Sequence, residues 1–313
     1  LNRFRGDASL LAPGPEQLRA MTGVSTLAVV PMVRGHGLPE EDGVPDPTPT
    51  PLAAFAQNLK YSANAFADLR GPGQVVVLAT PHASNLDEFE PLRAAGVPCT
   101  FSADANALVK ARLLILPGSK NTRADLEWLR AQQLDRMIYA HVNANKPLLA
   151  ICGGLQLTGE WIKDEQGVEG GTIGGDAGLG LLPLVTVFER DKHLSRTHAR
   201  FEKLAAPWDV WSDQRAHGYE IRHGRTAALG QARPALTNVQ PVEDDATLGW
   251  QSGPVLAVYL HGLFENPNLI RTMLGLEPPG LDDVFERLAD TLDASFEPGT
   301  LERLVNDRRS RPR

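Results

Sequence analysis

"PLLAICGGLQLTG", Pro147 to Gly159, runs a proline and four apolar residues into a cysteine and two glycines. A run of that length suits a buried strand, and the glycines mark a sharp stop. Ala150 lies two residues before Cys152 and Gly154 two after it. That is the spacing of a nucleophile elbow, a strand-to-helix turn with no room for side chains beside the nucleophile. A helix expected from Leu155 to about Lys163 would point its positive end at the sulfur, and such an end favours a thiolate. Backbone N–H groups there can also cradle an oxyanion. The competing reading is a small buried hydrophobe, the commonest fate of a free cysteine. The flanking glycines favour the nucleophile.

Working outward, similar runs recur. "VVVLAT" (Val75–Thr80), "VPCTFSA" (Val97–Ala103) and "RLLILPG" (Arg112–Gly118) read as strands, with a helical stretch around Asn85–Ala95. Leu126, Leu129, Leu134, Ile138 and Val142 recur as on one amphipathic helix between Ala124 and Asn145. Strands that alternate with helices imply parallel pairing, because each crossover needs a helix-sized connection. The expected fold is α/β, a doubly wound sheet that binds its ligand at the carboxyl ends of the strands. Cys152 stands at one such end.

A nucleophilic cysteine needs a base. His261, in "VLAVYLHGLFEN" (Val255–Asn266), directly follows another apolar run and precedes a glycine, so it too is expected at a strand's carboxyl end. Cys99 lies inside a strand with no glycine beside it and reads as structural. His82, His141, His193 and His198 have no evident partner and read as surface or loop residues. No histidine pair with an acid at metal-ligand spacing is apparent, so no metal is expected.

Formal net charge is −7, from 31 basic and 38 acidic residues, which argues against a nucleic-acid partner. Two cysteines make neither a disulfide framework nor a zinc cluster and suit a reducing cytoplasm. No apolar run approaches the ~20 residues of a membrane span, and no membrane role is expected. The chain opens on Leu1, which suggests residues missing upstream. Residues 1–44 read as the end of a domain, with "STLAVVP" (Ser25–Pro31) as a short strand and Glu40, Glu41 and Asp42 in an acidic loop. "VPDPTPTP" (Val44–Pro51) has four prolines in eight residues and opens a linker that reaches to about Gly73. The core domain is then expected over 74–275. In 276–313, two short amphipathic helices expected on the sheet precede an arginine-rich tail.

"ICGGLQLTG" and "YLHGLFEN" resemble the two catalytic segments of class I glutamine amidotransferases, and the branch they most resemble is cobyric acid synthase. "NRFRGD" (Asn2–Asp7), "PHASNLDEFEPL" (Pro81–Leu92), "LPGSKNTRADLEWL" (Leu116–Leu129), "GLGLLPLVTVF" (Gly178–Phe188) and "GYEIRHGRT" (Gly218–Thr226) extend the resemblance over nearly the whole chain. It implies a flavodoxin-like, mostly parallel sheet. It also implies a site in which Cys152 forms a γ-glutamyl thioester from glutamine and His261 serves as base and then acid. Gln156 matches a position that helps hold glutamine, and the Gly118 and Gly153 amides match the oxyanion donors. Glu220 and His223 belong to a branch motif near the active-site face, with positioning as their only implied role.

The resemblance has two departures. Many class I amidotransferases carry a glutamate two residues after the histidine. Here that residue is Leu263, which leaves a Cys–His dyad, and Glu265 could serve only if the turn folds back. The branch also has an ATP-dependent synthetase domain with a phosphate-binding loop, and no G-x-x-x-x-G-K-[ST] occurs in this chain. ATP and Mg are therefore expected only at that missing domain, whose last part residues 1–44 resemble. The implied function is the glutaminase half of an enzyme that amidates corrin-ring carboxylates (adenosylcobyrinic a,c-diamide to cobyric acid). It would work with the synthetase domain or another chain as partner. Two readings stay open beside it: another Cys–His hydrolase on the same fold, and a degenerate amidotransferase kept as an interaction module.

Overall fold

The computed structural model describes residues 1–2, 4, 11–31, 33, 66, 69, 74–170, 173–230, 233–239, 247–275 and 281–309. Two compact units divide the chain: Leu1–Leu38 with Pro279–Arg313, and Pro39–Pro278.

The first unit holds α1 (Gly14–Thr22), α8 (Leu281–Ser295) and α9 (Thr300–Arg309). The β-rich run at Ser25–Pro31 makes isolated bridges, Phe4 with Pro31 and Ala28 with Phe296, and no strand among the described residues. Helices α8 and α9 belong to the same unit as residues 1–38. The acidic loop at Glu40–Asp42 lies outside the described residues, as does most of the linker. Phe66 and Leu69, which fall within the segment read as linker, are nevertheless buried, with the Phe66 ring 5.2 Å from that of Trp208.

The second unit is built on a sheet of 11 strands among the described residues. Its parallel half consists of β1 (Val75–Leu78), β3 (Cys99–Ser102), β4 (Leu113–Leu116), β6 (Leu148–Ile151) and β13 (Val255–Val258), in the order β3-β1-β4-β6-β13. Every adjacent pair in that half is parallel. Numbered by first appearance this order is 2-1-3-4-5, the flavodoxin-like winding. All four residues of β1, β4, β6 and β13 are buried, as expected for strands covered on both faces.

The other half is mostly antiparallel, the exception being Trp161–Asp164, which runs parallel to Leu184–Phe201. β12 (Thr247–Ser252) and β11 (Arg233–Asn238) continue from β13 to β9 (Leu184–Phe201), which pairs with β10 (Arg215–Ala228) over nearly its full length. Nothing in the sequence reading anticipates this long hairpin.

Two local expectations also change. The single helix expected over Ala124–Asn145 is two, α4 (Thr122–Ala131) and α5 (Leu134–Asn143), because Gln133 between them is left-handed at φ 57°. Asn121 caps α4 by accepting from the Ala124 N–H at 3.1 Å. The helix after Cys152 is α6 (Gly153–Thr158), only six residues, and Lys163 lies beyond it on β7 (Trp161–Asp164).

Candidate active site

Cys152 sits between the end of β6 and the start of α6 with φ 51° and ψ −103°. A non-glycine residue held there stores about 1–3 kcal/mol of strain, and such strain gathers at functional turns. Three contacts over-determine it. The Cys152 N–H donates to Val258 O on β13 at 2.8 Å, its carbonyl accepts from Gln156 N at 3.1 Å, and its thiol reaches Ile221 O on β10 at 3.4 Å. Gly154 is what lets α6 start so close to the sheet. A methyl group there would lie 2.1 Å from Leu116 O of β4.

His261 follows β13, the strand beside β6, so two neighbouring carboxyl ends deliver nucleophile and base. The ring is buried, 1% exposed, and hydrogen-bonds the Cys152 sulfur. Its Nδ1 edge faces the Glu88 carboxylate at 3.3 and 3.4 Å, and the same carboxylate accepts from the Gly262 N–H at 3.3 Å. Tyr219 of β10 stacks on the imidazole, with centroids 5.2 Å apart and planes inclined by 19°. Burial opposes the charged ring, but the Glu88 and Cys152 charges outweigh it and hold the imidazole well above its usual value. Burial, with the Glu88, Asp87 and Glu265 charges behind it, pushes the Tyr219 phenol up to about 12 despite the Asn85 hydrogen bond. Tyr219 therefore stays protonated and takes no part in proton exchange near neutral pH.

The other residues singled out from the sequence are placed as follows. Gly118 adjoins the ring: a methyl group there would lie 3.1 Å from His261 Cε1 and 3.0 Å from Ser84 Oγ. Gly153 packs on the same loop, with a methyl group there 2.5 Å from Ser119 N. Gln156 is buried, its Oε1 accepts from Thr122 Oγ1 at 2.9 Å, and its amide lies against Gly224. Glu220 turns away from the dyad into a buried ion pair with Arg222 at 3.0 Å and accepts from Thr197 Oγ1 at 3.0 Å. The His223 Nδ1 lies 3.1 Å from Glu189 O. Glu265 does fold back toward Gly262, but the partner of His261 Nδ1 is Glu88.

Two residues of the site were missed: Glu88 and Tyr219. Both lie inside segments that the resemblance rests on, "PHASNLDEFEPL" and "GYEIRHGRT", and periodicity carried a signal for Glu88. It falls four residues before Leu92 in a stretch of helical spacing, and both are buried.

Three histidine readings are corrected, the first being His193 on β9, whose Nε2 stands 3.7 Å from the buried Glu220 carboxylate. His141 is buried in α5, its Nε2 2.8 Å from Pro147 O. His82 is held by the fully buried Asp125 carboxylate at 2.9 Å. Asp125 also accepts from Thr80 and Ser119, tying the ends of β1 and β4 together. Cys99 is buried in β3, and burial, eased by Arg93 and reinforced by Glu90, pushes its thiol up to about 12. In the folded chain at pH 8, Cys99 should therefore alkylate more slowly than a free thiol by a factor on the order of a hundred or more. Peptide mapping after iodoacetamide, native against unfolded, checks this. Among the described residues no three histidine, cysteine or acidic side chains lie together as a metal would need, and no helix is long and apolar enough to cross a membrane.

The chain is similar to proteins already known. The model of the CobB/CobQ-like glutamine amidotransferase domain matches residues 74–269, which hold Glu88, Cys152, Tyr219 and His261. Curated proteins named cobyric acid synthase are similar along almost the whole chain. That of Methylibium petroleiphilum is 49% identical over 98% of this chain and 58% of its own length. That of Polaromonas sp. is 46% identical over 97% of this chain and 61% of its own. That of Leptothrix cholodnii is 46% identical over 98% and 58%. The chain thus spans about six-tenths of the length of these relatives. A solved structure titled as a glutamine amidotransferase aligns with 64% of the chain at 17% identity and a TM-score of 0.47, a likeness too slight to add weight. With the elbow cysteine, the paired histidine and the match to residues 74–269 in place, the chain belongs to the CobB/CobQ-like glutamine amidotransferase family.

Proposed function

We propose that this chain releases ammonia from glutamine for an amidation carried out elsewhere in a cobyric acid synthase. The observation that carries the reading is the buried pair itself: a cysteine on a strained elbow, hydrogen-bonded to a histidine that its surroundings keep charged. A charged imidazole beside a cysteine sulfur favours attack by that sulfur. The sulfur attacks Cδ of glutamine while the imidazolium gives its proton to the departing nitrogen, leaving a γ-glutamyl thioester and ammonia. His261, now neutral, takes a proton from water as that water's oxygen attacks the thioester. Glutamate leaves and the starting pair returns. The Gly118 and Gly153 amides would face the oxyanion of both steps.

The finer part of the reading is the whole enzyme. Ammonia would meet a phosphoryl-activated corrin carboxylate, with ATP and Mg held by a synthetase domain, in the cytoplasm. Residues 1–44 would be the end of that domain. The first unit supports this by its exposed apolar residues. None of α1 is buried, and Met21 and Val24 are 83% and 68% exposed. A groove lined by Leu1, Leu18, Leu27, Phe296 and Leu304 lies in the same unit. So much exposed apolar surface marks a face that is normally covered.

The test is to trap the intermediate. With glutamine and hydroxylamine, the chain should form γ-glutamyl hydroxamate, and acid quenching should leave a γ-glutamyl adduct on the peptide that contains Cys152. An adduct on any other residue would remove the thioester reading. The relatives' full reaction is expected only when a synthetase domain is supplied with ATP and the corrinoid.

A further inference from the structure

We propose that Glu88 is the positioning acid of the Cys152–His261 pair, replacing from the far end of the domain the carboxylate that Leu263 cannot supply. The inference rests on the glutaminase reading and deepens it. Glu88 lies in a 3₁₀ turn (Leu86–Phe89) after the end of β1, and 173 residues separate it from His261. Its carboxylate is 3% exposed and faces both the ring Nδ1 and the backbone N–H of the next residue. One group therefore fixes the imidazole's edge and the turn that carries it. A hydrogen on Nδ1 directed at Glu88 leaves Nε2 as the nitrogen for sulfur and substrate.

The turn is held where it must be. Phe89, the next residue, packs on Phe264 of the histidine loop with ring centroids 6.2 Å apart. Asn85, at the head of the turn, donates to the Tyr219 hydroxyl at 2.7 Å, and Tyr219 in turn covers the face of the imidazole. The ring thus has Glu88 at its Nδ1 edge, Gly118 beside Cε1 and Tyr219 on one face. The charged and titratable groups that bear on it are Glu88, Cys152 and Tyr219 directly. Asp87, Glu265 and His217 stand behind them, Glu265 with its carboxyl raised by burial in spite of His217. Of the acids among these, Glu88 alone is hydrogen-bonded to the ring.

The experiment compares the full chain with Glu88→Gln and Glu88→Asp. The first removes the charge and keeps the shape, and the second keeps the charge. In Glu88→Gln, kcat for ammonia release should fall about 100-fold with little change in KM. The alkaline limb of kcat/KM should move at least about one pH unit toward acid. Glu88→Asp should restore that limb. A purely structural Glu88 would change thermal stability and leave the limb in place. A second measurement needs no turnover: the His261 ring, followed by its imidazole carbon resonance and assigned with His261→Asn, should titrate at least about one unit lower in Glu88→Gln. Identical His261 titration in wild type and Glu88→Gln would overturn the proposal. So would an unshifted alkaline limb in Glu88→Gln when ammonia release still requires Cys152, and the glutaminase reading would then stand alone. Loss of the Cys152 requirement would instead remove that reading, while the ring titration still decided what Glu88 does.

Discussion

Cys152→Ala should abolish ammonia release from glutamine, a drop of at least about a thousandfold, while leaving the fold intact. Both halves of that expectation come from the elbow. The thiol is the part of residue 152 that attacks glutamine in the proposed reaction, and a methyl group cannot replace it as nucleophile. The backbone bonds that pin the turn, to Val258 and Gln156, do not involve the sulfur. Alanine gives up the sulfur's contacts with Ile221 O and His261 and keeps the strained φ, so the loss of stability should stay within about 1–3 kcal/mol. Ammonia is read by a coupled assay, and the fold by circular dichroism. Residual release at wild-type rate would place the chemistry at another residue and end the amidotransferase mechanism.

Gly154→Ala carries the second large effect, on stability. The added methyl would lie 2.1 Å from Leu116 O, 2.8 Å from its carbonyl carbon and 2.9 Å from its Cβ. No flexible side-chain tip can yield, because Leu116 belongs to β4, buried between β1 and β6. Either α6 lifts from the sheet or β4 bends, and both disturb the strands that deliver Cys152. Overpacking usually costs about 1–3 kcal/mol, and a clash with a central strand's backbone belongs at or above the top of that range. Unfolding of this unit can be followed selectively, since all five tryptophans (Trp128, Trp161, Trp208, Trp211 and Trp250) lie within Pro39–Pro278. The expected result is a fluorescence melting point lower by roughly 6 °C or more. A shift under about 2 °C would mean that α6 relaxes more freely than its contacts with β4 allow.

The parallel half of the sheet was legible because each of its strands is a short apolar run bounded by turn residues. Cys152 and His261 were legible for the same reason, since each directly follows such a run. The break between α4 and α5 was hidden. Leu129 and Leu134 keep an apolar stripe going across it, and glutamine is not a residue whose type announces a left-handed backbone. The β9–β10 hairpin was hidden differently. Its middle, "ERDKH", is charged and exposed, and the alternation that marks a half-buried strand shows only at its two ends. Glu88 stands among Asp87 and Glu90, where an acid reads as solvated surface. Only the return of the chain to the histidine loop, through Phe89 and Phe264, makes it part of the site. The four-residue spacing to Leu92 marks Glu88 only as buried, and a partner 173 residues away has no local signature.

The order in which the site's members are translated has a consequence of its own. Cys152 emerges from the ribosome 109 residues before His261, and β6 gains its parallel neighbour β13 only with Val255–Val258. Until then the nascent domain has a thiol with no base, Tyr219 has no imidazole to stack on, and Glu88 is a carboxylate without its histidine. Contacts so distant in sequence form late and slowly. A growing or prematurely ended polypeptide would therefore not consume glutamine, and hydrolysis would begin only once the last strand of the parallel half had locked in.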